Sequence, residues 1–183
     1  MALSRITLAG FRNHAETVLE GAGSLNLLVG PNGAGKTNVL EALSLLAPGR
    51  GLRRAQLAEM ARQGSGGGFS VGANLATQDV RIATFVEAER PNRRRVRVNG
   101  AEVAATSLGE WLSVGWLTPG MDGLFAAPAS QRRRYLDRLA LALDPAHAQQ
   151  ARRYEAALRE RNRLLSEERA PDPRWLDAIE AHM

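Results

Sequence analysis

The chain is 183 residues long, enough for one domain with a sizeable core, and its 44% hydrophobic and 23% charged residues are ordinary for a globular protein. It has no cysteine, which excludes disulfides and thiolate metal sites, and its histidines (His14, His147, His182) lack metal-ligand spacing. A net charge of +5 favours polyanionic partners, while the absence of a bilayer-length apolar stretch or a signal-peptide pattern predicts a cytoplasmic chain without a membrane partner.

Leu3, Ile6 and Leu8, then Thr17, Val18 and Leu19, predict two short strands joined by a polar turn at Gly10–His14. Ser24–Val29 reads as a mostly apolar, buried strand of a parallel sheet. It runs into Gly30-Pro31-Asn32-Gly33-Ala34-Gly35-Lys36-Thr37, which fits the phosphate-loop pattern G-x-x-x-x-G-K-[ST] at every position. Lys36 is the only lysine in the chain. At this composition, with 18 glycines, a lone lysine falls in that context by chance about once in a thousand times.

Val39, Leu40, Leu43 and Leu46 follow at helical spacing, so a buried helix is expected to begin near Lys36, with Arg50 complementing its C-terminus. Strand, glycine loop and helix N-terminus are the setting in which this motif holds phosphate. Glycines let the backbone N–H groups turn inward, and the helix end adds partial positive charge. Lys36 is expected to reach the β- and γ-phosphates, and the Thr37 hydroxyl to ligate Mg²⁺.

Gly64–Gly68 reads as a hinge after a short helical stretch. Val71, Ala73 and Leu75, then Val80 and Ile82, then Val96 and Val98 alternate, and Asn99-Gly100 before Ala101–Val103 predicts a type I′ hairpin. An antiparallel β subdomain is therefore expected after the first helix. Val114, Trp116 and Leu117 suggest one more buried strand, and Trp111, Trp116 and Trp175 are expected in the core.

The remainder reads as helical: about Ser130–Leu143, then about Pro145–Arg169 with Ala151, Tyr154, Leu158 and Leu165 at coiled-coil spacing interrupted by Arg161, then a last helix from Pro173 without a capping signal. Its abrupt end suggests the N-terminal portion of a longer protein. No apolar run followed by an acidic residue marks the carboxylate that a P-loop enzyme needs for Mg²⁺ and the attacking water.

Taken together, Leu8–His14 with its Phe11-Arg12-Asn13, Gly30–Thr37 followed by Asn38–Ala42, the basic Pro48–Arg53, Leu117-Thr118-Pro119, Ser130–Asp137 and Tyr154–Leu165 resemble the RecF family of bacterial recombination and repair ATPases. The resemblance implies an α/β P-loop NTPase fold, the N-terminal part of an ABC/SMC-type ATPase head. Residues 1–127 would form a head lobe with the β subdomain, and 128–183 the start of a helical, coiled-coil-like arm. It also implies ATP and Mg²⁺ as cofactors and an ATP-dependent homodimer with slow hydrolysis. The implied partners are single-stranded and gapped DNA, RecO and RecR, in recombinational repair and replication-fork maintenance.

The candidate DNA contacts are arginines. Arg12 could meet a nucleotide or DNA phosphate, and Arg93, Arg94, Arg95 and Arg97 could track a backbone from a hairpin, although charged edge strands also guard against aggregation. Arg132, Arg133 and Arg134 open a helix, where cations oppose the dipole unless an anion lies near. The alternative reading is a small P-loop phosphotransferase that would use Arg132–Arg134 as a lid.

Overall fold

Alternating side chains build a six-stranded antiparallel sheet from β1 (Leu3–Phe11), β2 (His14–Glu20), β3 (Phe69–Leu75), β4 (Val80–Val86), β5 (Arg94–Val98) and β6 (Ala101–Val103), in the order β2-β1-β3-β4-β5-β6. The computed structural model describes residues 3–76, 79–144, 146–166 and 172–181. They fall into two units, Met1–Met121 and Asp122–Met183. The strands expected on either side of the phosphate loop share one sheet in the first unit: β1 pairs with β3, Ile6 opposite Ala73 and Leu8 opposite Val71. The β5–β6 hairpin turns through Asn99 (φ 49°) and Gly100 (φ 84°), the left-handed pair that a type I′ turn requires.

One face of the sheet carries the core. Phe69, Val71, Ala73 and Leu75 alternate into it along β3, with Ile82 and Val86 from β4, Val96 from β5, and Ile6, Leu8 and Phe11 from β1. Helices α1 (Lys36–Ser44), α2 (Leu57–Met60) and α3 (Leu108–Trp111) meet this face through Ala42, Met60 and Leu108, together with Leu45 and Leu46 just past α1. Phe11 is fully buried, edge-on to Phe69 with 5.2 Å between ring centroids, so the polar turn is only Arg12-Asn13. Burying one such side chain stabilises the fold by about 1.5–3 kcal/mol.

Four expectations fail here. Ser24–Val29 forms no strand: Leu25 and Val29 are 91% and 82% exposed, and with Leu28, Leu40 and Leu43 the segment borders an open apolar groove of about 810 Å³. A parallel strand needs ladder partners for its N–H and C=O groups, and no described strand pairs with this segment. Val114–Leu117 is irregular for the same reason, and of the tryptophans Trp111 and Trp175 are exposed rather than core. Helix α1 also ends earlier than the apolar spacing suggested, at Ser44. Leu40 faces out and Glu41 takes a fully buried position instead.

The α1 C-terminus is complemented by Arg94, not Arg50, which is exposed. Arg94 donates to the carbonyls of Leu45, Ala47 (3.1 Å) and Gly49 (2.7 Å) and to Thr84 Oγ1 (2.7 Å). Burial pushes its pKa down to about 10, so it stays a cation at neutral pH. Carbonyls left without helical partners thereby receive charged donors from a strand distant in sequence.

In the second unit α4 (Ala129–Leu143) packs on α5 (His147–Leu165), and α5 on α6 (Pro173–Glu180). Among the described side chains of α5, Leu164 is buried while Leu165 is 49% exposed, so the coiled-coil spacing points one residue too far. Arg161, expected to interrupt the seam, donates to Glu180 of α6 at 2.6 Å. The last helix does have a start signal: the Asp172 side chain accepts from the Arg174 N–H at 2.9 Å, with Pro173 in the first turn. Pro171, and Pro145 and Glu167–Arg169 at the two ends of the expected long helix, lie outside the described residues. No helix among the described residues is long and apolar enough to cross a membrane.

Replacing Arg94 by methionine keeps the bulk of the stem but strands three carbonyls and the Thr84 hydroxyl. Equilibrium denaturation should show a loss of about 2–3 kcal/mol, whereas Arg93→Met, at an exposed neighbour, should stay within about 0.5 kcal/mol.

Candidate phosphate-binding site

The loop geometry follows from its glycines. Gly33 (φ 84°) and Gly35 (φ 95°) occupy left-handed backbone, which a side chain would strain. Gly35 is doubly constrained, because a Cβ there would lie 2.5 Å from His14 Nε2 and 2.7 Å from Asn13 Oδ1. An Ala34 N–H to Pro31 carbonyl bond (3.2 Å) turns the loop, and the Val39 N–H to Gly35 carbonyl bond (3.0 Å) opens α1.

That helix starts with no side-chain cap and no acidic residue in its first turn, so its first N–H groups point to solvent with the positive end of the dipole. Lys36 Nζ lies across the loop, donating to the carbonyls of Gly30 (2.7 Å) and Pro31 (2.8 Å). Thr37 is exposed on the first turn beside it. Gly30, Pro31, Asn32, Gly33, Ala34, Gly35, Lys36 and Thr37 are thus brought together as one cradle, exposed except at the half-buried Lys36 and the buried Gly35.

What holds the cradle from behind was not legible as function in the sequence. Asn13 Nδ2 donates to the Gly33 carbonyl (3.1 Å), and His14 Nε2 meets the Gly35 carbonyl (3.2 Å) while its Nδ1 faces Thr17 Oγ1 (2.9 Å). The Gly35 carbonyl can only accept, so Nε2 carries hydrogen, and in the neutral ring Nδ1 accepts from Thr17. Asn38 donates to Asn13 Oδ1 (2.8 Å), and Arg53 donates to Asn38 Oδ1 (2.9 Å) and to Glu41 Oε2 (2.9 Å). Arg12 closes the set with a two-pronged pair to Glu41, Nε to Oε2 at 2.9 Å and NH2 to Oε1 at 2.8 Å, plus a bond to the Glu59 carbonyl at 2.8 Å. The one available signal was Glu41, a carboxylate adjoining Ala42 on the helix face that had to be buried.

The arginines singled out for DNA are not equivalent. Arg12 and Arg94 are tied down internally, as described. Arg95 pairs with Glu87 and Glu102, holding Glu102 below the usual carboxylate range by its hydrogen bond, and stacks on Phe85 at 5.2 Å. Arg97 lies over the same ring at 4.6 Å. Arg132 donates to the Ala127 carbonyl (2.6 Å) just before its own helix. The side chains of Arg93, Arg133 and Arg134 are exposed and make no hydrogen bond or ion pair among the described residues, although the Arg93 charge helps to lower the Glu102 pKa.

Glu41→Ala would leave two guanidinium groups facing an empty, buried acceptor site. The expected cost is about 3–5 kcal/mol in denaturant unfolding. Asn13→Ala, at an exposed position, should cost about 1 kcal/mol or less by the same measurement.

A family profile described as an AAA domain matches residues 5–108. Over 99% of its length the chain is 52% identical to the DNA replication and repair protein RecF of Mesorhizobium japonicum, covering 48% of that protein. The chain spans about half the length of the curated relatives it matches. Two solved structures of the recombination mediator protein RecF in the RecFOR pathway, RecF-ATPrS and RecF-ATP, superimpose with TM-scores of 0.81 and 0.77 at 26% and 27% identity, each over 98% of this chain and 49% of theirs. An SMC ATPase structure, at 18% identity and a TM-score of 0.56 over 76% of this chain and 99% of its own, shares the fold. The chain belongs to the AAA-domain family, with the P-loop ATPase fold of RecF and SMC proteins, and RecF is the relative it matches along its whole length.

Proposed function

We propose that Gly30–Thr37 binds the phosphates of ATP, and that the chain supplies this nucleotide site to a RecF-like, DNA-binding ATPase of recombinational repair and replication-fork maintenance. The observation that carries the reading is the loop itself: two left-handed glycines, an uncapped helix N-terminus and Lys36 held only by loop carbonyls. Its support is the match to RecF across the whole chain, including the structure of RecF-ATP. Nothing in the fold or the comparisons favours the small phosphotransferase.

An incoming triphosphate would replace the Gly30 and Pro31 carbonyls as partners of Lys36 and take the open N–H groups of the first turn. Mg²⁺ fits one protein ligand here, the Thr37 hydroxyl, with phosphate and water oxygens completing its shell. Among the described residues there is no cluster of three or more acidic, His or Cys side chains to hold it otherwise. Glu41 does not serve, because it is buried and already paired with Arg12 and Arg53.

By the same likeness to RecF, two copies close over ATP and bind single-stranded or gapped DNA in the cytoplasm, with RecO and RecR as partners. Arg93, Arg133 and Arg134 are the residues proposed to meet the DNA backbone, because Arg12, Arg94 and Arg95 would have to give up internal bonds to do so.

Lys36→Ala should weaken ATP binding by about 10- to 100-fold in isothermal titration while the far-ultraviolet spectrum is unchanged. Affinity kept within about threefold would sink the site assignment. Binding to gapped DNA should fall with salt at a log–log slope near −0.9 per phosphate contacted, and Arg93→Gln should make that slope shallower by about one. A slope that Arg93, Arg133 and Arg134 substitutions all leave untouched would remove these residues from the DNA interface.

A further inference from the structure

The second unit contains a cleft of about 490 Å³ between α4 and α5, within the size range of small-ligand sites. Arg133 and Arg134 reach it from α4 and Arg153 from α5, with Tyr154 beside them. None of the three arginine side chains has a hydrogen-bond or ion-pair partner among the described residues. Two carboxylates also line the cleft, and each is already engaged: Asp137 with His147 Nε2 at 3.1 Å, and Glu155 with Arg159 at 3.7 Å.

Three arginines on one concave surface raise its positive potential, which an entering anion would offset. The planar guanidinium fork matches a phosphate, and the three arginines outnumber the two carboxylates of the lining, one of which already faces Arg159. Tyr154 is 36% exposed, which leaves an aromatic face for a base to stack on. A cleft of this volume holds one nucleotide unit, not a length of duplex.

We propose that the α4–α5 cleft is a second anion site, built from residues other than the phosphate loop, that takes a phosphate monoester carried on a nucleoside. Arg133, Arg134 and Arg153 grip the phosphate and Tyr154 stacks on the base. The monoester can come from a free nucleotide or from the phosphorylated end of a DNA strand.

The test uses the whole chain carrying Lys36→Ala, so that the phosphate loop is disabled. It is titrated with a 5′-phosphorylated trinucleotide, the same trinucleotide ending in a 5′-hydroxyl, and deoxyadenosine 5′-monophosphate. The phosphorylated strand should bind at least about tenfold tighter than the hydroxyl strand. Arg153→Gln and Arg133→Gln, added separately, should each erase most of that preference while helicity by circular dichroism is unchanged. Equal affinity for the free mononucleotide would name a small molecule as the source, and a weaker one the strand end; either supports the site. No preference for the phosphorylated strand, or a preference that survives both arginine substitutions, would overturn it. ATP binding by Arg153→Gln with Lys36 intact separates the two readings. If ATP fails to bind even the unsubstituted chain, the loop assignment falls and the cleft result stands by itself.

Discussion

The phosphate loop depends on a carboxylate that touches no solvent. Glu41 lies on the helix that starts at Lys36 and is gripped by Arg12 from the β1–β2 turn and by Arg53 from the segment after the helix. A buried, unpaired carboxylate would cost several kcal/mol, so the helix can dock only in the rotation that brings Glu41 to both guanidinium groups. That rotation fixes where Lys36 and Thr37, five and four residues earlier on the same helix, face solvent. It also fixes the β1–β2 turn, whose Asn13 and His14 then stand directly behind Gly33 and Gly35. One ion-pair network thus sets the helix, the turn and the loop in mutual register.

Helix α1 consequently has its side and its C-terminal end paired, while its first N–H groups are left uncapped. Arg94 gives charged donors to its C-cap carbonyl at Leu45 and to the turn beyond it, and Glu41 fixes its flank, while its N-terminus has neither side-chain cap nor acidic residue. A cation at the C-terminus and an open N-terminus both suit a helix whose dipole is completed by an anion at the other end. The open end is not a defect of packing. Filling it with the usual aspartate or serine cap would satisfy the same N–H groups that a phosphate needs.

The glycine loop, the helix after it, the Asn-Gly hairpin and the alternating strands were legible in the sequence because each is set by local rules: backbone sterics, period and turn chemistry. What was not legible is long-range. Apolar content made Ser24–Val29 look like a strand, yet a strand exists only with a partner to complete its ladder. Arg94 looked like surface charge because nothing local says that a β5 arginine reaches the carbonyls of Leu45 and Ala47, 49 and 47 residues away. Heptad counting points to Leu165 and not to the buried Leu164, because spacing alone does not say which side of α5 is covered. Asn13 and His14 stood within a quoted motif, but their role needs the third dimension.

The arginine-rich composition acquires a physical meaning from these placements. Arg94 serves four acceptors at once and Arg12 serves three, which a lysine, with three donors on one rotating nitrogen, could do only by crowding all of them around a single point. Arg95 bridges two carboxylates while lying on an aromatic ring, again a task for a planar cation. Lys36 has the opposite task. In the proposed ATP site it would release two loop carbonyls and pivot onto a phosphate, and a compact ammonium on a flexible stem can do this without rearranging a fixed fork. Net charge alone therefore overstates the basic surface: part of it is internal scaffolding. What remains for polyanions is the smaller set of arginines that no carboxylate or carbonyl has already claimed.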